Sequence, residues 1–301
     1  MRRAFFWIGL GLFAALFATP VVADGLPNTL PATPAMWTVH GPKGTAYLLG
    51  SIHILPKNVN WQTAYIMQAM KRADTFVFEI PMDKESRDSG MATIRDNALL
   101  PLSTSLVSLF DEQMRNDFRR VIELTHADPT YVVYMRPWLA AMDLEGAESG
   151  DPRFVAAEGV DNKVYALASA RKGVHFRALE TFALQSRLLM GDGNLSDEMA
   201  SLRLAFKQIL TEHGPNIDAL LASWAKGDAK ALAAFGPENP QMSAADKKAM
   251  FESRNRSWIP EITAMLKERH TYFITVGAGH LVGTTGVPNL LRAAGYTVEG
   301  P

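Results

Sequence analysis

Apolar positions along this chain follow two periods. Short runs rich in β-branched and aromatic residues mark strands, and three- and four-residue spacings mark helices. Met36–His40 and Thr45–Ile54 flank Gly41-Pro42-Lys43-Gly44 and predict a β-hairpin. Thr63–Ala73 carries Ala64, Met67, Ala69 and Met70 at helical spacing, and Asp74–Pro81 reads as a strand ended by proline. Residues 82–172 are mainly helical in pattern, through Ala92–Leu100, Leu106–Thr125, Thr130–Glu145 and Val160–Lys172. Val174–Glu180 is a short strand. Helical spacing then resumes from Thr181, with Ile217–Lys226, Asp228–Phe235 and a long stretch Ser243–Glu268 interrupted at Pro260. A last buried strand starts at Tyr272, a helix follows over Pro288–Ala294, and Tyr296–Glu299 closes the sheet.

This order predicts an α/β fold: a mixed central sheet with large helical insertions at about 82–172 and 181–268. Ligands in such folds bind beyond the carboxyl ends of the strands. Two of those ends repeat one pattern, an apolar run followed by Gly-x-x-His. The first is Leu48-Leu49-Gly50-Ser51-Ile52-His53, the second Thr275-Val276-Gly277-Ala278-Gly279-His280. Glu79 stands at a third strand end between Phe78 and Ile80, and Glu180 at a fourth. A carboxylate there is either a solvated strand-end charge or a site group. Its match in position to the two histidines favours the site, because burying an unpaired charge is costly.

Two imidazoles and a carboxylate are the minimum set for a catalytic divalent ion, so His53, Glu79 and His280 are candidate ligands for Mn²⁺, Co²⁺ or Zn²⁺. Without a metal, one histidine serves as general base while the other orients an oxyanion. The helical H-E-x-x-H pattern and the G-x-S-x-G elbow are both absent. Arg254 and Asn255 lie on a predicted helix, with Trp258 one turn after Arg254. The pair reads either as a solvated helix face or as a clamp for a substrate carboxylate or carbonyl. Glu158-Gly159-Val160-Asp161 reads as a helix start, with Asp161 in its first turn.

Composition narrows the setting. Arg2 and Arg3, an apolar run over 4–17 and Val21-Val22-Ala23 form a leader that predicts cleavage after Ala23 and export to a periplasm or beyond. Residues 24–301 then form the mature domain, with no later segment apolar enough to span a bilayer. The chain has no cysteine, which excludes disulfides, a thiol nucleophile and thiolate ligands. A formal net charge of −1 gives no footprint for nucleic acid.

The chain resembles the TraB/GumN family, which also holds the Tiki-type and PrgY-type proteins. The likeness is carried by both Gly-x-x-His units, Phe78-Glu79, Arg136-Pro137-Trp138, Gly159-Val160-Asp161, Leu179-Glu180-Thr181 with Gln185, Ala222-Ser223-Trp224 with Gly227-Asp228, and Arg254-Asn255 with Trp258. It implies a fold similar to erythromycin esterase and ChaN-like proteins. It also implies a metal-dependent peptidase acting on a peptide or protein, with His53, His280 and either Glu79 or Glu180 at its centre. The second function it implies is non-catalytic periplasmic binding of haem, iron or a peptide.

Overall fold

The computed structural model describes residues 30–148, 153–211, 217–240 and 242–301; the leader at positions 1–23 lies outside the described residues. The chain divides into two compact units. One is built from residues 30–82, Pro152–Thr181 and Asp218–Pro301 and holds the sheet; the other joins Asp83–Asp151 to Phe182–Ile217 and is helical.

The sheet has six strands: β1 (Met36–His40), β2 (Thr45–Ser51), β3 (Thr75–Phe78), β4 (His175–Ala178), β5 (Thr271–Gly277) and β6 (Thr297–Glu299). Their spatial order is β6-β1-β2-β5-β3-β4. β1 pairs antiparallel with β2 and with β6, so the hairpin forms where Gly41 to Gly44 placed it. β2, β5, β3 and β4 run parallel, and their carboxyl ends lie along one sheet edge. The register is tight there: Ser51 pairs with Gly277, and Phe78 pairs with both Thr275 and Ala178. Parallel strands covered on both faces read as continuous apolar runs. Accordingly Leu48, Leu49, Phe76, Val77, Phe273 and Ile274 are all buried. Phe76 and Phe273 pack across the ladder with ring centroids 5.9 Å apart.

Around the sheet lie α1 (Ala64–Arg72), α5 (Val160–Ser169), α8 (Ile217–Ala225), α9 (Ser253–Met265) and α10 (Val287–Ala293). Thr63 caps α1 by accepting from Ile66 N. Pro260 does not end its helix: α9 runs through it. The residue is exposed, as is Arg256 one turn earlier, so the carbonyl that loses its partner faces solvent.

The helical unit contains α2 (Lys84–Asp96), α3 (Glu112–Thr125), α4 (Pro137–Glu148), α6 (Phe182–Met190) and α7 (Leu195–Thr211). α2 begins well before the predicted Ala92, because Asp83 accepts from Ser86 N and nucleates it there. The predicted Leu106–Thr125 helix is two pieces. A short turn over Leu106–Leu109 stops at an extended Phe110, and Asp111 then caps α3 through Met114 N. Phe110, Phe118 and Phe206 form its aromatic core, with centroids 5.6–6.0 Å apart. No helix of the described residues is long and apolar enough to cross a membrane.

Candidate active site

The site lies just past the carboxyl ends of β2, β5, β3 and β4. β2 stops at Ser51, so His53 stands on the turn beyond it; β5 stops at Gly277, and a single turn over Ala278–His280 delivers the second imidazole. Glu79 and Glu180 follow β3 and β4, and pairing persists past the strands through Glu180 N–H donating to Glu79 O at 2.7 Å. Residues far apart in sequence thus reach one place because parallel strands end level with one another.

His53 is held by the segment that opens α5. Gly159 passes so close to the backbone of His53 that a Cβ there would sit 2.0 Å from the His53 carbonyl oxygen. That approach lets Val160 N–H donate to Ile52 O at 3.0 Å. One residue on, the Asp161 carboxylate accepts from Ser51 Oγ at 2.5 Å and from His53 Nδ1 at 3.0 Å. Asp161 does stand in the first turn of α5, but its side chain serves His53; Gly159 at the N-cap offers no side-chain cap. The bond to Asp161 Oδ1 fixes the proton of the His53 ring on Nδ1 and aims Nε2 away from Asp161. Burial alone would lower the His53 pKa. The charge and hydrogen bond of Asp161, with the charge of Glu79, outweigh it and raise the value to about 9.

His280 sits in the opposite environment. Its side chain is fully enclosed, between Trp258 at 4.5 Å and Phe251 at 5.3 Å between ring centroids. Asn255 Nδ2 donates to Thr285 O, which turns Asn255 Oδ1 toward His280 Nδ1 at 2.6 Å. Nδ1 therefore carries the proton, and Nε2 accepts from Arg254 Nη1 at 2.9 Å. Burial, aided by the Arg254 charge, lowers the His280 pKa to about 3, so this ring is neutral. Its Nε2 lies 3.8 Å from Glu79 Oε1, a distance that makes no ion pair with an uncharged ring.

Arg254 links the remaining groups. Nη2 donates to Glu79 Oε2 at 2.7 Å and Glu180 Oε2 at 2.8 Å, and Nε donates to Glu180 Oε1 at 2.7 Å. Trp258 Nε1 donates to the same Glu180 oxygen at 3.0 Å, and the guanidinium carbon lies 5.3 Å from the Trp258 ring centre. Burial would raise the Glu79 pKa, but the charge of Arg254 and the Gly277 N–H, which donates to Oε1 at 2.6 Å, hold it well below the carboxylate range. Two acids on adjacent strand ends are thus bridged by one cation between them.

The five sequence-selected site residues converge, in two roles. His53, with a side chain 15 % exposed, is the one that solvent reaches. Glu79 and His280 line the interior, while Arg254 and Asn255 are turned inward. The Arg–Asn pair is therefore no open clamp for a substrate carboxylate; it fixes His280 and the two acids. Gly277 marks the meeting point. A Cβ on it would lie 3.1 Å from Glu79 Oε1, 3.6 Å from His53 Nε2 and 3.6 Å from His280 Cδ2. Its φ of −50° is ordinary, so what glycine provides there is space.

Residues 35–300 match the TraB/PrgY/gumN family. The chain belongs to that family. This TraB/PrgY/gumN chain is similar to the protein YbaP of Shigella flexneri, 23% identical over 250 residues, or 82% of this chain and 88% of the relative. It is equally similar to YbaP of Escherichia coli K12, 23% identical over 249 residues, covering 82% and 87%. No solved structure matches it.

The expected metal trio does not fit the arrangement of its atoms. A ligating histidine offers an unprotonated nitrogen. His280 Nδ1 is bonded to Asn255 and its Nε2 to Arg254, while both Glu79 oxygens accept short bonds from Arg254 and Gly277. Among the described residues, no group of three or more His, Asp or Glu side chains is placed to hold an ion. Haem meets the same obstacle at His280, whose ring has no free nitrogen.

Proposed function

We propose that this chain is an exported hydrolase that cleaves a peptide or a related carbonyl compound, with His53 as general base. The observation that carries this reading is the Asp161–His53 bond at 3.0 Å, which leaves Nε2 beside the small space at Gly277. A base oriented by a half-buried carboxylate and facing room for a substrate atom is the arrangement that acyl-transfer chemistry requires.

The steps follow from the chain's own groups. Water bound at Gly277 gives its proton to His53 Nε2 as its oxygen attacks the carbonyl carbon. Asp161 stabilises the imidazolium that forms. Nη1 of Arg254 and the ring of His280 stay fixed behind Glu79, so the polar wall of the site does not reorganise during attack. His53 then returns its proton to the leaving amine or alkoxide. Export belongs to the same reading, on the strength of the basic, apolar and small-residue leader at positions 2–23.

The test is cleavage of a peptide library and of simple aryl esters by the purified protein and its His53→Ala variant. Turnover that disappears with His53 supports the assignment. Turnover equal in both removes His53 from the chemistry.

A further inference from the structure

We propose that Arg254 is the resident cation of this centre, holding between Glu79, Glu180 and His280 the position that a divalent metal would otherwise take. The donor set alone is one that metals favour: two carboxylates and a neutral imidazole nitrogen, all buried. Each points at the guanidinium. Glu79 Oε2 and Glu180 Oε2 both meet Nη2, at 2.7 and 2.8 Å, and His280 Nε2 meets Nη1 at 2.9 Å. With the guanidinium in place the donors are spread over it, the acids at Nη2 and the imidazole at Nη1, so they hold no ion together; they can close on one only once the guanidinium is gone.

A guanidinium excludes such an ion for two reasons. It cannot lose its proton at any working pH, so its charge is permanent. It is also planar and matches Glu180 bidentately, through Nε and Nη2, which a spherical cation cannot copy without moving that carboxylate. The protein locks it there: Nη1 also donates to Met250 O at 3.2 Å, Trp258 stacks on it, and α9 supplies Arg254, Asn255 and Trp258 from one face. Arg254 plays this part whether or not His53 activates water, so metal binding and not turnover reads it.

Removal of the guanidinium converts the cluster into a metal site. The full chain is dialysed against ZnCl₂ and then against metal-free buffer, and bound zinc is measured by elemental analysis for wild type, Arg254→Lys, Arg254→Ala and Arg254→Ala with His280→Ala. Wild type and Arg254→Lys retain no ion at the centre. Arg254→Ala retains one ion per chain, the double variant loses it, and Zn²⁺ raises the melting temperature of Arg254→Ala by several degrees. A wild-type ion that His280→Ala removes would overturn the proposal, as would an Arg254→Ala chain that is folded by near-UV circular dichroism and gains no zinc. Should Arg254→Ala stay unfolded even with Zn²⁺, the wild-type measurement decides: no retained ion supports the proposal, and an ion lost with His280 overturns it.

Discussion

Asp161 Oδ1 accepts a hydrogen bond from His53 Nδ1 at 3.0 Å, across 108 positions of sequence. The bond exists because Gly159 yields space to the His53 carbonyl and Val160 ties the segment to Ile52. It decides which ring nitrogen is a base. Replacing Asp161 by asparagine keeps the shape and removes the charge, and an amide nitrogen turned toward the ring favours the other tautomer. Turnover in Asp161→Asn is expected to fall by roughly a hundredfold or more, with the fold intact. Far-UV and near-UV spectra beside the rate measurement check it; an unaltered rate removes Asp161 from the mechanism.

The same bond sets a pH dependence. His53 titrates at about 9 in the folded chain against an ordinary 6.5. The folded state therefore holds the proton more tightly than the unfolded one. The resulting stability is fully present below about pH 6.5 and is lost as pH rises through about 9. As a base, His53 must first lose that proton, so the rate is expected to climb with pH up to about 9. In Asp161→Asn the inflection moves to lower pH. A pH–rate profile of both proteins, with an NMR titration of the ring, reads the shift; coincident inflections contradict it.

Gly277 and Gly159 separate access from positioning. Gly277→Ala places a methyl group between Glu79, His53 and His280 without straining the backbone, but 3.1 Å from Glu79 Oε1, so Glu79 must give by a few tenths of an ångström; the chain is expected to stay folded with some loss of stability while turnover is lost. Gly159→Ala meets the His53 carbonyl at 2.0 Å and must push α5 away from β2. Here the fold survives with a shifted Asp161, and the His53 pKa returns toward 6.5. Melting curves and ring titrations of the two variants are expected to differ in this way; a Gly277→Ala protein with full activity contradicts the placement of the site.

Arg254 makes the cluster acid-sensitive. Glu79 has a folded-state pKa held far below its unfolded value near 4.5. Its contribution is present above the unfolded pKa and lost as pH falls toward the folded one. Arg254→Met leaves both acids buried without a cation, and breaking such a pair costs about 3–5 kcal/mol. Denaturant unfolding at pH 7 is expected to show a loss of this size. At low pH the difference between wild type and variant narrows, as wild type loses the contribution of ionised Glu79. A variant as stable as wild type at neutral pH would show that the ion pairs contribute nothing.

Much of this was legible in the sequence. The runs at Thr45, Asp74, Val174 and Tyr272 became parallel strands, and the groups placed at their ends, His53, Glu79, Glu180 and His280, came together because those strands end level. What local pattern could not carry was the direction of side chains on flanking helices. Arg254 and Asn255 read from the sequence as either a solvated helix face or a clamp for a substrate, since helical spacing gives a face without saying what it meets. Asp161 passed for a first-turn acid for the same reason. The signal that could have found it is Gly159, a glycine at the N-cap in place of a capping side chain. The helix boundaries differ where a cap outweighs the apolar spacing, at Asp83 and Asp111.

The claim on which this account turns is that His53, oriented by Asp161, activates water. The most direct measurement is the rate of peptide and ester cleavage by wild type and His53→Ala, each in excess chelator. Wild-type turnover is expected to persist with chelator present and to drop by about 10²–10⁴-fold in His53→Ala. Equal rates in the two proteins, or wild-type turnover abolished by the chelator and restored by a divalent ion, would contradict it.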